Sequence, residues 1–366
     1  MHLRCWLVVA FWIFLGAAVA ESSWQAEWHD TLKAAEEEGR VVLYVSDVYF
    51  EVFQQFQKKY PHIKVTSVTG RGSQIAQRVM AERRAGKYLA DLYMGGSGTL
   101  YNVFYKGSVL SPIKRMLMLP EVVDESKWWG GRHIYHDDES RYMLAFNGNA
   151  QSYFSYNTKL VDPKKFRSYW DFLDPAWKGK IVSYDPTMGG AVSGVLMFLY
   201  KNPQLGPKFI RHILTDMDLR ATRDSRQLVN WLAVGKYPLA ALVGPNRAGI
   251  YKAREQGLPI NTFDSQLFKE GGPLSTSNGN VAFFDQAPHP NAAKVALNWL
   301  LSREGQMAYQ KFGYDKDSLR IDIPKDNVPP RVRRSEGVDY LVLAGPGFKN
   351  MEPINKIIRE VWRKKK

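Results

Sequence analysis

Apolar and polar positions along this chain form short runs that switch between a period of two and a period of three to four. Arg40 to Val45 (RVVLYV) is valine-rich, the pattern of a strand buried on both faces. It leads into Val48, Val52, Phe56 and Tyr60, whose four-residue spacing predicts a helix that Pro61 closes. Ile63 to Val68 alternates and reads as a second strand. The turn Thr69-Gly70-Arg71-Gly72-Ser73 opens a second helix with Ile75, Ala76, Val79 and Met80 on one side. Asp91 to Met94 is then a third strand, ended by Gly95-Gly96-Ser97-Gly98. Successive strand–helix–strand units predict an α/β fold with mostly parallel sheets and right-handed crossovers.

The second half repeats this order with different residues. Lys180 to Ser183 precedes Gly189-Gly190 and a helix, and Leu239 to Val243 precedes Gly244-Pro245-Asn246. Between the halves, Trp128 to Asp138 (WWGGRHIYHDD) is aromatic, polar and aperiodic, and is expected to be a functional loop beside a cleft or a covering surface. Asp322 to Arg334 mixes proline and charge without period, which predicts a linker to a terminal helix around Ile354 to Trp362. Roughly 345 residues suit two lobes, each with its own core.

The first residues change where this fold is expected to work. A short basic start with Arg4, an apolar run from Trp6 to Ala17 and the small residues Ala18-Val19-Ala20 form a secretory signal peptide, with cleavage expected after Ala20. The apolar run is shorter than the roughly 20 residues a membrane span needs. The only cysteine, Cys5, lies inside that leader, so lipid attachment, disulfides, a thiolate nucleophile and Cys-ligated metal are not expected of the mature chain. Loss of Arg4 lowers the 50 basic side chains by one against 36 acidic ones, a net charge of +13 that favours anionic ligands or surfaces. The basic residues are scattered, and neither zinc-finger spacing nor an RNP-like motif is present, so nucleic acid is not an expected partner.

Three stretches carry a resemblance. They are Lys58 to Val65 (KKYPHIKV), Tyr169 to Ile181 (YWDFLDPAWKGKI), and Ala287 to Ala293 (APHPNAA) with Trp299 to Gln306 (WLLSREGQ). Together the chain resembles the bacterial extracellular solute-binding family of ABC importers, the ferric-ion-binding-protein-like group. The resemblance implies the two-lobed type II periplasmic binding protein fold, with a hinge of two crossings near Ala145 to Tyr156 and Asn278 to Phe284. It assigns residues 24–145 and 279–320 to lobe 1, 146–278 to lobe 2, and 321–366 to a linker and C-terminal helix, after a leader over 1–20. It also implies a periplasmic monomer that captures a small molecule between its lobes by hinge closure. An ABC permease and ATPase would be its partners, no cofactor is called for, and no bond is broken.

Within that frame the turns after the strands are the candidate ligand site, because strand ends and helix N-termini present unpaired amides. The candidates are Ser46 and Asp47, Arg71, Gly72 and Ser73, Gly96 and Ser97, then Thr187, Met188, Gly189 and Gly190, with Ser225, Asn246 and Arg247 behind them. Glycines allow close approach and arginine adds a two-pronged donor, so a carboxylate or phosphate group, as an organic anion or zwitterion, is the expected cargo. Each residue taken singly is better explained as a cap or turn; only their convergence favours a site.

Ferric ion is the alternative cargo. The family's iron binders keep neighbouring tyrosines where this chain has Asn246 and Arg247, and a histidine and glutamate where it has Ser46 to Val48 and Gly95 to Ser97. One aspartate among amides is a poor ferric site. His133, His136, Asp137, Asp138 and Glu139 could form a metal cluster, but a solvated charged loop is the expected reading. Trp128, Trp129, Tyr135 and Tyr101 could stack on an organic ligand. An exported enzyme is the rival class; neither GxSxG nor HExxH occurs. A sensory binding protein is a further alternative.

Overall fold

The computed structural model describes residues 24–189, 191–244, 247–348 and 350–362, and of Asp47, Ala191, Arg247 and Pro346 only the backbone. The predicted leader, Gly190 and Asn246 therefore lie outside the described residues. The chain divides into two compact units, one built from residues up to Asn147 with Thr276–Pro329, the other from Gly148–Ser275 with Pro330 onward.

A helix over residues 24–38 precedes the first unit's sheet. Strands β1 (Arg40–Val45), β2 (Lys64–Thr69) and β3 (Leu92–Gly95) follow, then the short β4 (Leu110–Ser111), β5 (Ile134–Tyr135) and β6 (Met143–Ala145). The second unit holds β7 (Asn149–Ala150), β8 (Ser155–Asn157), β9 (Ile181–Tyr184), β10 (Arg220–Thr222), β11 (Leu239–Ala241), β12 (Ile260–Thr262) and β13 (Gly272–Ser275). The chain returns to the first unit with β14 (Asn280–Phe284) and leaves it again before β15 (Tyr340–Val342).

The first sheet runs β2-β1-β3-β14-β6-β5, with β4 also on β14. β1 is parallel to both neighbours, setting Val41 beside Val65 and Tyr44 beside Tyr93. β14 then enters antiparallel between β3 and β6, so this sheet is mixed rather than mostly parallel. The reason is connectivity: β3 continues through local elements to β6, and the neighbour of both comes from far along the chain. Asn280–Phe284 was expected to be a hinge crossing. It is a fully buried strand, and the chain passes between units earlier, at Ser275/Thr276, besides Asn147/Gly148 and a third passage at Pro329/Pro330. Ile75, Val79, Tyr93, Leu100 and Phe104 form the core on one face with Met143 and Phe284.

The second unit's main sheet runs β10-β9-β11-β8-β12, parallel across β10, β9 and β11 and antiparallel at β8. Beside it stands the sheet β15-β13-β7. Residues expected to be only a linker thus supply β15, and helix Glu352–Val361 packs Ile354, Ile357 and Ile358 into this unit's core. The Tyr169–Trp177 stretch forms 3-10 turns, with Phe172 stacked on Phe154 at 4.3 Å, so its aromatics serve the fold.

Trp128 to Asp138 is partly folded into the first unit, with Gly130 to Arg132 and Asp138 left exposed. It contributes β5, and Trp128, His133, His136 and Asp137 are buried. Asp137 accepts backbone bonds from Arg141, Tyr142 and Met143 at 2.9–3.0 Å, and His133 bonds the Val122 carbonyl at 2.9 Å. These groups are consumed by the fold, and no cluster of three or more metal-type side chains occurs among the described residues. No helix among the described residues is long and apolar enough to cross a membrane.

Candidate functional site

In the first unit the carboxyl ends of β1, β2 and β3 surround a cavity of about 430 Å³. Ser46, Gly70, Arg71, Gly72, Gly95 and Gly96 line it with Val48, Gln74, Tyr93 and Asn278. Four of the expected residues, Ser46, Arg71, Gly72 and Gly96, are thus brought together. Ser73 and Ser97 stand beside it, in the first turns of helix Gly72–Arg84 and of the turn Ser97–Thr99, and are not among its lining. Asp47 begins a 3-10 turn, Asp47–Tyr49.

Local chemistry explains this arrangement. Arg71 is extended (φ −67°, ψ 146°) at the N-cap of helix Gly72–Arg84 and offers no side-chain acceptor, so the first amides of that helix keep their donors. Gln74 reaches back to accept from the Arg71 amide at 3.1 Å. The Arg71 guanidinium is exposed and makes no hydrogen bond or ion pair among the described residues. Gly72 is there for space: a Cβ would run into the Thr99 hydroxyl and lie 3.3 Å from the Tyr93 hydroxyl. Burial pushes the Tyr93 phenol above its usual pKa, partly offset by hydrogen bonds from Thr99 and the Gly96 amide. The Ser46 hydroxyl is buried without a partner among the described residues. Among the described side chains of the lining there is no Asp or Glu; Asp47, between Ser46 and Val48, is described only in its backbone.

The second unit also gathers its turns at strand ends, but ties them to one another. Asp185 follows β9; the Thr187 amide and hydroxyl donate to its Oδ1 at 2.9 and 2.7 Å, and Arg223 Nε donates to its Oδ2 at 3.0 Å. Arg223 Nη2 donates to the Thr187 hydroxyl at 2.8 Å, closing the ring. Burial works to raise the Asp185 carboxyl, yet the bonds from Thr187 and Arg223 outweigh it and hold it below the usual range. A cavity of about 580 Å³ beside this ring is lined by Asp185, Asp218, Arg220, Thr222, Arg223, Tyr237 and Trp362, among others.

Met188 instead packs on the hydrophobic core, and Gly189 is exposed. Ser225 does not cap its helix. Asp224 does, accepting from the Arg226 and Gln227 amides at 2.8 and 3.2 Å, while Ser225 Oγ lies 2.6 Å from the Tyr184 hydroxyl. Arg247 opens helix Arg247–Glu255. Sequence reasoning missed Asp185, Tyr93, Gln74 and Asn278. For Asp185 the signal was present, since an aspartate directly after a strand and two residues before threonine is an Asx-turn pattern.

The expected aromatic contacts resolve into packing. Trp128 is buried beneath the Arg320 guanidinium at 5.7 Å, and Tyr101 bonds Asp138 at 3.2 Å.

A family model described as bacterial extracellular solute-binding protein matches residues 47–307, and the chain belongs to that family. It is thus a solute-binding protein of the ABC importer type, a family of periplasmic binding proteins rather than enzymes. Among solved structures it is similar to the FutA (IdiA) protein of Trichodesmium in complex with iron and citrate ligands, 17% identical over 88% of this chain and 99% of that one, with a TM-score of 0.65. It is similar also to a ferric binding protein from Campylobacter jejuni, 18% identical over 88% and 99% (TM-score 0.57). A third likeness is to AfuA from Actinobacillus pleuropneumoniae with fructose-6-phosphate bound, 19% identical over 88% and 99% (TM-score 0.54). These likenesses show the type II periplasmic binding fold. No curated protein matches the sequence significantly.

Proposed function

We propose that the cargo is a small organic anion, a carboxylate or phosphate ester, held by the first unit's cavity at Arg71, Gly72 and Gly96. One observation carries the reading: the cavity pairs an uncommitted guanidinium with the open amides of a helix start, and no carboxylate is among its described lining side chains. A negative oxygen gains from both donors at once. The Arg71 fork suits two oxygens, and Gly72 lets the backbone approach them. Export with cleavage after Ala20, delivery to a permease and ATPase, and release of the ligand unchanged complete the proposal.

Bare ferric ion fits poorly, because the Asp185 carboxylate is already engaged by Arg223 and Thr187. A ferric citrate complex differs, since its carboxylates present the same chemistry as a free organic acid.

The test is mass spectrometry of the ligand released from purified mature protein, followed by calorimetric titration with citrate, ferric citrate, glucose 6-phosphate and a ferric salt. Binding of at least one anion and none of uncomplexed ferric ion is expected. Binding confined to amines, neutral sugars or the bare metal would overturn the reading. N-terminal sequencing starting at Glu21 checks the leader.

A further inference from the structure

Two turns that line the first unit's cavity are joined by one buried amide. Asn280, fully buried at the start of β14, donates through Nδ2 to the Gly95 carbonyl at 2.8 Å and to the Ser277 carbonyl at 3.1 Å. Its Oδ1 lies 2.7 Å from Nε2 of the buried His136. Because Nδ2 serves two carbonyls, Oδ1 must accept, so His136 Nε2 carries a hydrogen and donates. Gly95 and Gly96 form one wall of the cavity and Asn278 another. Ser277 holds a left-handed backbone (φ 49°), a conformation that costs a non-glycine residue energy unless its surroundings fix it. This turn also follows directly on the passage of the chain at Ser275/Thr276.

We propose that Asn280 is the positioning residue of the ligand site, holding the Gly95–Gly96 and Ser277–Asn278 turns in one register, with His136 fixing the orientation of its amide. The inference rests on the anion reading only for its ligand, not for its geometry. Other bonds locate the second turn, from Tyr49 Oη to the Asn278 carbonyl at 2.6 Å and from the Phe146 amide to the Gly279 carbonyl at 2.9 Å. Neither reaches the Gly95 turn. The β3–β14 ladder sets the Asn280 backbone opposite Gly95, and the Asn280 side chain adds a bond to each of the two turns.

The substitutions separate positioning from packing. Asn280→Asp keeps an acceptor for His136 and loses both donors; His136→Gln keeps a donor and His136→Phe removes it. Citrate and glucose 6-phosphate titrations should show about a tenfold or greater loss of affinity for Asn280→Asp, a smaller loss for His136→Phe, and near wild-type binding for His136→Gln. Hydrogen exchange read on peptides covering 95–100 and 276–280 should rise in the same order, while β9 to β11 stay protected. Lower melting temperature with unchanged affinity and unchanged exchange in those two peptides would overturn the proposal. If the wild type binds neither anion, the cargo reading falls and the exchange pattern alone decides the role of Asn280.

Discussion

The two units reach the same kind of place, turns beyond the carboxyl ends of parallel strands, and equip it in opposite ways. The first leaves its arginine and helix amides uncommitted, with no carboxylate among the described side chains that line its cavity. The second folds Arg223 back onto its own Asp185 through Thr187. An anion meeting Arg71 displaces water alone, whereas one meeting Arg223 competes with a carboxylate already in place. Topology supplies a site in both units; the residue after the strand decides whether it is charged or self-neutralised.

The largest effect should appear on exchanging each arginine for methionine, which keeps bulk and removes charge. Arg71→Met is expected to weaken citrate or glucose 6-phosphate binding by about 10- to 100-fold, the value of one or two charge-assisted bonds. Its melting temperature should stay near wild type, because the guanidinium is exposed. Arg223→Met should cost less affinity and more stability, since it frees Asp185 of its partner. Calorimetry and thermal melts on the two variants check this, and the reverse order would break the comparison.

Much of the parallel half of each sheet was legible in the sequence, because β1, β2, β3 and β9 are local strand–helix–strand units with clean periodicity. The turns after them were legible for the same reason, which is why Ser46, Arg71, Gly72 and Gly96 converge. What escaped was non-local. Asn280–Phe284 is a short apolar run, and periodicity does not separate a central antiparallel strand from an extended crossing. The His136–Asn280 bond joins residues 144 positions apart, beyond any local pattern. Residues 340–342 read as linker because their partner β13 lies far upstream. The buried Asp137 looked solvated since its partners are backbone amides, which every sequence contains.

A smaller effect separates the units by pH. The Asp185 carboxyl is held below its ordinary value of 3.8 by Thr187 and Arg223 against the cost of burial. A depressed carboxylate contributes stability that is full above the unfolded value and lost as pH falls through the folded one. Asp185→Asn should therefore lower stability by about 1–3 kcal/mol at pH 7. The deficit should stay constant down to about pH 5 and close below the ordinary aspartate value near pH 4. Urea melts at neutral and acidic pH read this directly, and a deficit that grows with acid would contradict the ring.

The smallest effect lies in the first unit and in a different window. Burial pulls the His133 imidazole below its ordinary value of 6.5; Glu125 and the Val122 carbonyl pull it up, and Lys114 and Arg320 add to the depression. Nε2 bonds the Val122 carbonyl, leaving Nδ1, 3.5 Å from Glu125, to take the added proton. Below pH 6.5 the unfolded chain binds that proton while the folded chain resists it, so more protons sit on the unfolded state and stability falls as pH falls. His133→Gln keeps a donor for Val122 and does not titrate. The stability of wild type relative to this variant should thus decline between pH 7 and pH 5, with the other histidines cancelling in the difference. If wild type instead gains on the variant with acid, the Glu125 pairing outweighs burial, and the first unit, like the second, draws its acid response from an ion pair.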